Sequence, residues 1–235
     1  MSFQFKQFTI HQERCAMKVC TDACLFGAWL ADMAAAEHTG GRVLDIGTGT
    51  GLLSLLLAQQ HGAMIDAVEI DPEAAVQAAE NFGASPWKER LQLVNGDIRS
   101  WQPGERYDLI ISNPPFFAND LKSADAKRNL ALHGAALGLD ELFRIARELV
   151  SDRGAIALLL PYHRKEESMR LAGQQGLTAS WVVDVRQTEK HGFFRTMLWF
   201  VPYAVTTQTD AITIKEENAY SERFVSLLKA YYLYL

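Results

Sequence analysis

Two stretches carry residue types and spacings suited to chemistry. The first is Asp45-Ile46-Gly47-Thr48-Gly49-Thr50-Gly51. Its alternating glycines let a backbone turn tightly and approach a ligand with no Cβ in the way. A dinucleotide fingerprint reads G-x-G-x-x-G; here the third glycine comes one residue early, and the lysine of a phosphate loop is missing. Asp45 would repel a pyrophosphate and suits a ligand with positive charge, an amine and hydroxyls. The second stretch is Asn113-Pro114-Pro115-Phe116-Phe117. Two consecutive prolines remove two backbone donors and stiffen the chain, leaving the carbonyls of Asn113 and Pro114 without partners.

A planar amine such as adenine N6 is a poor nucleophile, because its lone pair is delocalised into the ring. Its two N–H groups need two acceptors that draw the nitrogen toward a pyramidal shape. The Asn113 side-chain oxygen and the Pro114 carbonyl suit that task, and Phe116 suits stacking on the base beside a sulfonium. Catalysis would then be positioning and desolvation of an extruded base, with no strong general base. The ligand of the glycine loop fits S-adenosylmethionine (SAM), which has a sulfonium, an ammonium and ribose hydroxyls. Two further acids complete that picture. Glu69 ends a strand pattern where a carboxylate can accept both ribose hydroxyls. Asp97, in Asn95-Gly96-Asp97-Ile98, can accept from the adenine amino group, with Ile70 and Ile98 on the two sides of the ring. Asp71, just before Pro72, reads as a helix cap. The plain alternative, acids that only cap helices and turns, explains one such acid better than three at successive strand tips.

The elements that must hold these residues follow from periodicity. Strands are expected at 43–46, 64–69, 91–94, 107–112, 154–160, 179–186 and 193–203, with helices at 22–36, 50–61, 72–83, 137–150 and 163–175. Several strands are almost wholly apolar, as in a sheet covered by helices on both faces. The alternation predicts an α/β fold with a doubly wound, mostly parallel, seven-stranded sheet and an antiparallel hairpin at one edge. Residues 3–10 predict a short strand or hairpin. Thr21 and Asp22 offer the start of a helix packed through Leu25, Phe26, Trp29 and Leu30. The tail 210–235 predicts a strand and a last helix.

These motifs resemble class I SAM-dependent methyltransferases of the amino-methylating group with an (N/D)PP(Y/F) motif. Over nearly its whole length the chain is similar to the bacterial tRNA1(Val) adenine-N6 methyltransferase family. The similarity includes FKQFTIHQERCAMKVCTDACLFGAW, DIGTGTG, VEIDPEAA, SPWKERLQL, LIISNPPFF and NAYSERFVSLLKAYYLYL. It implies a Rossmann-like core at 41–205. It also implies an N-terminal extension at 1–40 covering the cofactor and a C-terminal strand–helix extension at 206–235 packed on the core. It implies methylation of the adenine on the 3′ side of the valine anticodon, with S-adenosylhomocysteine as product. Asp45, Gly47 and Gly49 would line the methionine portion of SAM, with Thr48 and Gly51 in the same cofactor-binding loop, Glu69 the ribose, and Asp97 the adenine, with Ile70 and Ile98 beside its ring. Asn113, Pro114, Pro115 and Phe116 would hold the target base. Lys18, Thr21 and Asp22 match a segment that closes over the cofactor in similar enzymes. The chain departs from that pattern at Cys20, where glycine is usual, and at Cys24, where an aliphatic residue is usual.

Substrate contacts are expected from Phe117 and from the basic residues that follow it, Lys122, Lys127 and Arg128, with His133, against the phosphates of an anticodon stem-loop. Arg164, Lys165 and Arg170 form a second candidate patch. A net charge of -5 counts against a general nucleic-acid binder but not against one local basic patch. Cys15, Cys20 and Cys24 lack the spacing of a metal site, so no metal is expected and the thiols are read as reduced. No apolar run spans a bilayer and the start MSFQFKQFTIHQER does not resemble a secretory signal, which predicts a cytoplasmic protein, monomeric and without an obligate protein partner. Two other readings share the core. One is a glutamine N5-methyltransferase of the release-factor type, whose helical N-terminal domain 41 preceding residues leave little room for, or an adenine-N6 enzyme acting on rRNA or DNA. The other is a SAM-binding protein without activity, against which the intact Asn113–Phe116 motif argues.

Overall fold

The computed structural model describes residues 2–15, 17–37, 41–114 and 137–235. The chain opens with a hairpin of β1 (Ser2–Gln4) and β2 (Thr9–His11), paired antiparallel with Phe3 opposite Ile10. Helix α1 (Thr21–Ala36) follows, with Leu25, Phe26, Trp29 and Leu30 buried as their spacing predicts. The alternating part comprises β3 (Arg42–Ile46), α2 (Leu52–Gln60), β4 (Met64–Glu69), α3 (Pro72–Gly83), β5 (Leu91–Asn95) and β6 (Tyr107–Ser112). After the described residues resume come α4 (Leu139–Leu149), β7 (Val150–Pro161), α5 (Lys165–Gln174), β8 (Thr178–Arg186) and β9 (Phe193–Val201). The chain ends with β10 (Gln208–Thr213) and α6 (Glu222–Leu228).

The main sheet runs β10-β8-β9-β7-β6-β3-β4-β5. Every pairing is parallel except those of β9, which lies antiparallel between β7 and β8. The expected edge hairpin is therefore present but sits one strand inside. The C-terminal strand joins this sheet beside β8, in register from Gln208 opposite Trp181 to Thr213 opposite Arg186, so the sheet has eight strands among the described residues rather than seven. Its sequence, QTDAIT, is mostly exposed, as an edge strand tolerates.

Apolar side chains cover both faces. One cluster joins Phe5, Trp29, Leu55, Trp199 and Phe224, and so the N-terminal hairpin, α1, α2 and α6. The other joins Leu44, Ile110, Phe143, Leu158 and Phe200 under α4 and α5. α1 and α2 meet closely at Gly27, where a Cβ would lie 2.4 Å from Leu56 Cδ1. Any larger residue there would push the helices apart. No helix in the described residues is long and apolar enough to cross a membrane.

Candidate active site

The site lies at the carboxyl ends of β3, β4, β5 and β6, where an open α/β sheet leaves its crevice. β3 and β6 are neighbours, with Asp45 opposite Ile111. One step further up, the Ser112 hydroxyl donates to the Ile46 carbonyl at 2.7 Å. This bond, which sequence reasoning missed, fastens the strand carrying Asn113 to the strand carrying the glycine loop. Asn113 thus follows directly on a residue bonded to the root of Gly47.

The loop itself needs its glycines. Gly47, Gly49 and Gly51 have φ of 70°, 58° and 82°, in the left-handed region that costs other residues about 1 kcal/mol or more. They do two different jobs. A Cβ at Gly47 or Gly49 would enter open space, so these two line a cradle; one at Gly51 would lie 2.4 Å from Phe82 Cε1. Gly51 therefore serves close packing on α3 and ends the loop, and α2 starts after it at Leu52, two residues later than periodicity suggests.

Asp45 is buried beneath the loop. Its Oδ2 accepts from Thr48 Oγ1 and from Ser54 Oγ, each at 2.7 Å. Its Oδ1 is buried with no hydrogen-bond partner among the described residues. Burial pushes the Asp45 carboxyl up to about 6; the Thr48 and Ser54 hydroxyls oppose that rise and the nearby Glu69 charge adds to it. An ammonium group would satisfy both the orphan oxygen and the charge. Thr48 spends its hydroxyl on Asp45, so its part in the site is to hold that acid.

Glu69 ends β4, buried, and staples the loop: Oε2 accepts from Gly49 N–H at 2.8 Å and Oε1 from Asp71 N–H at 2.9 Å. Each oxygen keeps a second lone pair for a ribose hydroxyl. Asp71 caps α3 as expected, accepting from the N–H groups of Glu73 and Ala74. Asp97 also caps, taking Arg99 N–H at 2.9 Å and Arg99 Nη1 at 3.0 Å. Ile70 is 46% exposed, and Ile98 is buried in the second core cluster.

Asn113 is half-buried just beyond β6, and its Oδ1 is buried with no hydrogen-bond partner among the described residues. An unpaired buried acceptor costs about 1–3 kcal/mol and is rare without a function. Pro114 follows, buried. Pro115, Phe116, Phe117, Lys122, Lys127, Arg128 and His133 lie outside the described residues.

The N-terminal segment departs from expectation. Lys18 Nζ donates to the carbonyls of Gln12 and Cys15, and Gln12 Oε1 accepts from Val19 N–H, so Lys18 closes its own loop instead of reaching into the cleft. Thr21 is exposed at the start of α1 and makes no cap; the cap position is Cys20, in ordinary extended backbone at φ -131°, so the absence of glycine there costs nothing. Asp22 pairs with Arg195 at 2.6 Å. What does bind this segment to the site is Asn81, another residue missed. Its Nδ2 donates to the carbonyls of His11 and Thr50, and its Oδ1 accepts from His11 N–H. The signal was available: Gln77 and Asn81 are polar and one helical turn apart on the buried face of α3.

The second basic patch is largely neutralised. Arg164 pairs with Glu167 at 2.9 Å and Lys165 with Asp184 at 2.8 Å, leaving Arg170 exposed. Cys15 and Cys24 are buried and Cys20 is exposed, all as free thiols; burial pushes the Cys15 thiol up to about 11. Among the described residues no group of His, Cys, Asp and Glu is placed to hold a metal ion.

Fold and glycine-loop site define a methyltransferase of the small-domain type: the model of the methyltransferase small domain family matches residues 25–165. A predicted O-methyltransferase of Agrobacterium tumefaciens shares the fold, with a TM-score of 0.68 at 16% identity over 89% of this chain and 96% of that one. The nearer relatives are more specific. A Parabacteroides distasonis protein is 40% identical over 98% of this chain and 97% of its own length. One from Klebsiella pneumoniae is 42% identical over 99% and 95%. Both carry the name tRNA1(Val) (adenine(37)-N6)-methyltransferase, and this chain belongs to that family.

Proposed function

We propose that this chain methylates the exocyclic N6 of an adenine in tRNA, using SAM, and that the adenine is the one beside the anticodon of valine tRNA. The single observation that carries the chemistry is the orphaned, buried Asn113 Oδ1 at the tip of β6, fastened beside the glycine loop by Ser112. The nucleobase target rests on the likeness to the tRNA-modifying relatives. A glutamine side-chain amide presents the same planar nitrogen but finds no support beyond the shared motif.

SAM, when bound, supplies an electrophilic methyl group on a sulfonium. Gly47 and Gly49 leave the open space that its amino-acid part needs. Asp45 would hold the ammonium with the Oδ1 that has no partner among the described residues, and Glu69 would offer its spare lone pairs to the ribose hydroxyls. Asp97 stands at the next strand tip for the adenine of the cofactor. Across the cleft, Asn113 Oδ1 accepts one N–H of the target amine, and the Pro114 carbonyl accepts the other. Holding both hydrogens out of the ring plane gives the lone pair back to the nitrogen. The proton released from N6 passes to water, so no strong base is needed. Phe116 provides the stacking face for the extruded base.

One chain carries the glycine loop, the acid tips and Asn113 together, which supports a monomer as the working unit. The anticodon stem-loop is the part of tRNA engaged, in the cytoplasm. The test is methyl transfer from labelled SAM to unmodified valine tRNA, to DNA and to a release factor, offered separately. Label in the tRNA alone is expected; label on the release factor alone overturns the reading.

A further inference from the structure

Large aromatic side chains in this protein are mostly deep: Trp199, Phe143 and Phe200 are all under 2% exposed. Several are not, Tyr203, Tyr220 and Tyr234 among them. Two half-exposed rings, Tyr162 and Phe193, meet at the turn after β7 and the start of β9, while Phe194 packs against the first core cluster. Tyr162 and Phe193 are in contact, with ring centroids 5.3 Å apart and planes inclined at 40°.

Their position matters. Ser112 lies opposite Leu158 in the β6–β7 pairing, and β7 continues three residues to Pro161, which lies opposite Arg195 of β9. At about 3.3 Å per residue, β7 and the start of β9 rise about 10 Å beyond Ser112, in the next strands over. The Tyr162–Phe193 pair therefore stands as a wall beside Asn113, on the substrate side of the cleft.

Cations lie over these rings: Lys165 Nζ is 4.4 Å from the Tyr162 centroid, Arg186 Cζ 5.7 Å from that of Phe193, and Arg195 Cζ 5.6 Å from that of Phe194. They are not equivalent. Lys165 and Arg195 are bound to Asp184 and Asp22. Arg186 Nε donates to Thr213 Oγ1 at 2.8 Å, its ion pair is only a 3.9 Å approach to Glu189, which is 76% exposed, and Lys190 is exposed with no ion-pair partner among the described residues. Half-exposed rings beside Lys190 and a guanidinium with only a weak ion pair are what an unpaired RNA strand takes: bases stack on rings while phosphates meet charge.

We propose that Tyr162 and Phe193, with Arg186 and Lys190, form the wall on which the unpaired nucleotides flanking the target adenine dock. This rests on the reading of the chain as a tRNA methyltransferase and adds which surface takes the loop. Stacking is the main contribution, in keeping with a chain of net charge -5. The wall reads shape and unpairedness, and Asn113 with Pro114 reads the amine.

The test uses the full chain with S-adenosylhomocysteine and an unmodified valine tRNA transcript. Wild type, Phe193→Leu, Phe193→Tyr and Lys190→Glu are compared by fluorescence anisotropy. Phe193→Leu is expected to weaken tRNA binding by about 5- to 150-fold, the range for one lost base stack. Phe193→Tyr is expected to bind as wild type. Lys190→Glu, on an exposed side chain that cannot upset folding, is expected to lower the salt slope by about 0.7. Cofactor affinity and melting temperature should not move. If Phe193→Leu and Lys190→Glu bind tRNA like wild type, and wild type methylates that tRNA, the wall is wrong and the proposed function stands. If wild type methylates no RNA, the proposed function falls and takes the wall with it.

Discussion

Asp45→Asn isolates the charge under the glycine loop. The Asp45 carboxyl is raised from 3.8 to about 6, chiefly by burial. The folded state therefore holds this proton more tightly than the unfolded chain does. Below pH 4 both states are protonated and the group costs nothing. As pH rises through about 6 the carboxylate forms inside the protein, and stability is lost. The loss is complete above pH 6 and amounts to about 2 pH units at about 1.4 kcal/mol each, roughly 3 kcal/mol. The substituted amide would keep an oxygen for Thr48 and Ser54 but has no charge to bury. The assay is urea unfolding of both proteins from pH 4 to 8, in the absence of SAM. The stability of the variant relative to wild type should climb by roughly 3 kcal/mol between pH 4 and 6.5 and then level off. A fixed penalty for the new N–H groups shifts that curve without tilting it. Curves that stay parallel across the range refute the buried-carboxylate account. Saturating SAM should flatten the wild-type curve, because its ammonium holds Asp45 ionised.

Three other substitutions divide the labour of the site. Asn113→Ala should lower methyl transfer by about 100-fold or more, by analogy with removal of one polar group aimed at a reacting centre, while calorimetry shows cofactor affinity unchanged. Its Oδ1 has no hydrogen-bond partner to lose among the described residues, so the melting temperature should hold. Glu69→Ala should weaken SAM binding and also cost about 1–3 kcal/mol of stability, because the N–H groups of Gly49 and Asp71 lose their acceptor; unchanged affinity would remove Glu69 from the ribose site. Asn81→Ala should release the N-terminal segment from α3 and the glycine loop, seen as faster hydrogen exchange at His11 and an unfolding penalty of about 2–4 kcal/mol for its three bonds.

The sheet and the glycine cradle were legible because both depend on local rules. Apolar runs bounded by turns mark buried parallel strands, and glycines at alternate positions mark a backbone that must turn left-handed. The acids at 45, 69, 71 and 97 were legible as strand-tip groups, but their partners were not. Thr48, Ser54 and Gly49 lie 3, 9 and 20 residues from the groups they bond, and only the fold brings them together. β10 was hidden as a sheet strand because an edge strand can be polar, and its partner β8 lies a hairpin away. Lys18 was named from the resemblance to a segment that closes over the cofactor, and only the fold shows the Gln12 and Cys15 carbonyls it donates to. Asn81 was overlooked because a buried amide that splints two segments leaves only a polar letter on an apolar helix face. Arg164 and Lys165 read as a basic patch until Glu167 and Asp184 were seen to neutralise them.

The most direct test is mass spectrometry of valine tRNA from cells lacking this protein, from cells with it restored, and from cells carrying Asn113→Ala. The account predicts N6-methyladenosine beside the anticodon only when the intact protein is present. Methylation that persists without the protein, or that is fully restored by Asn113→Ala, would contradict it.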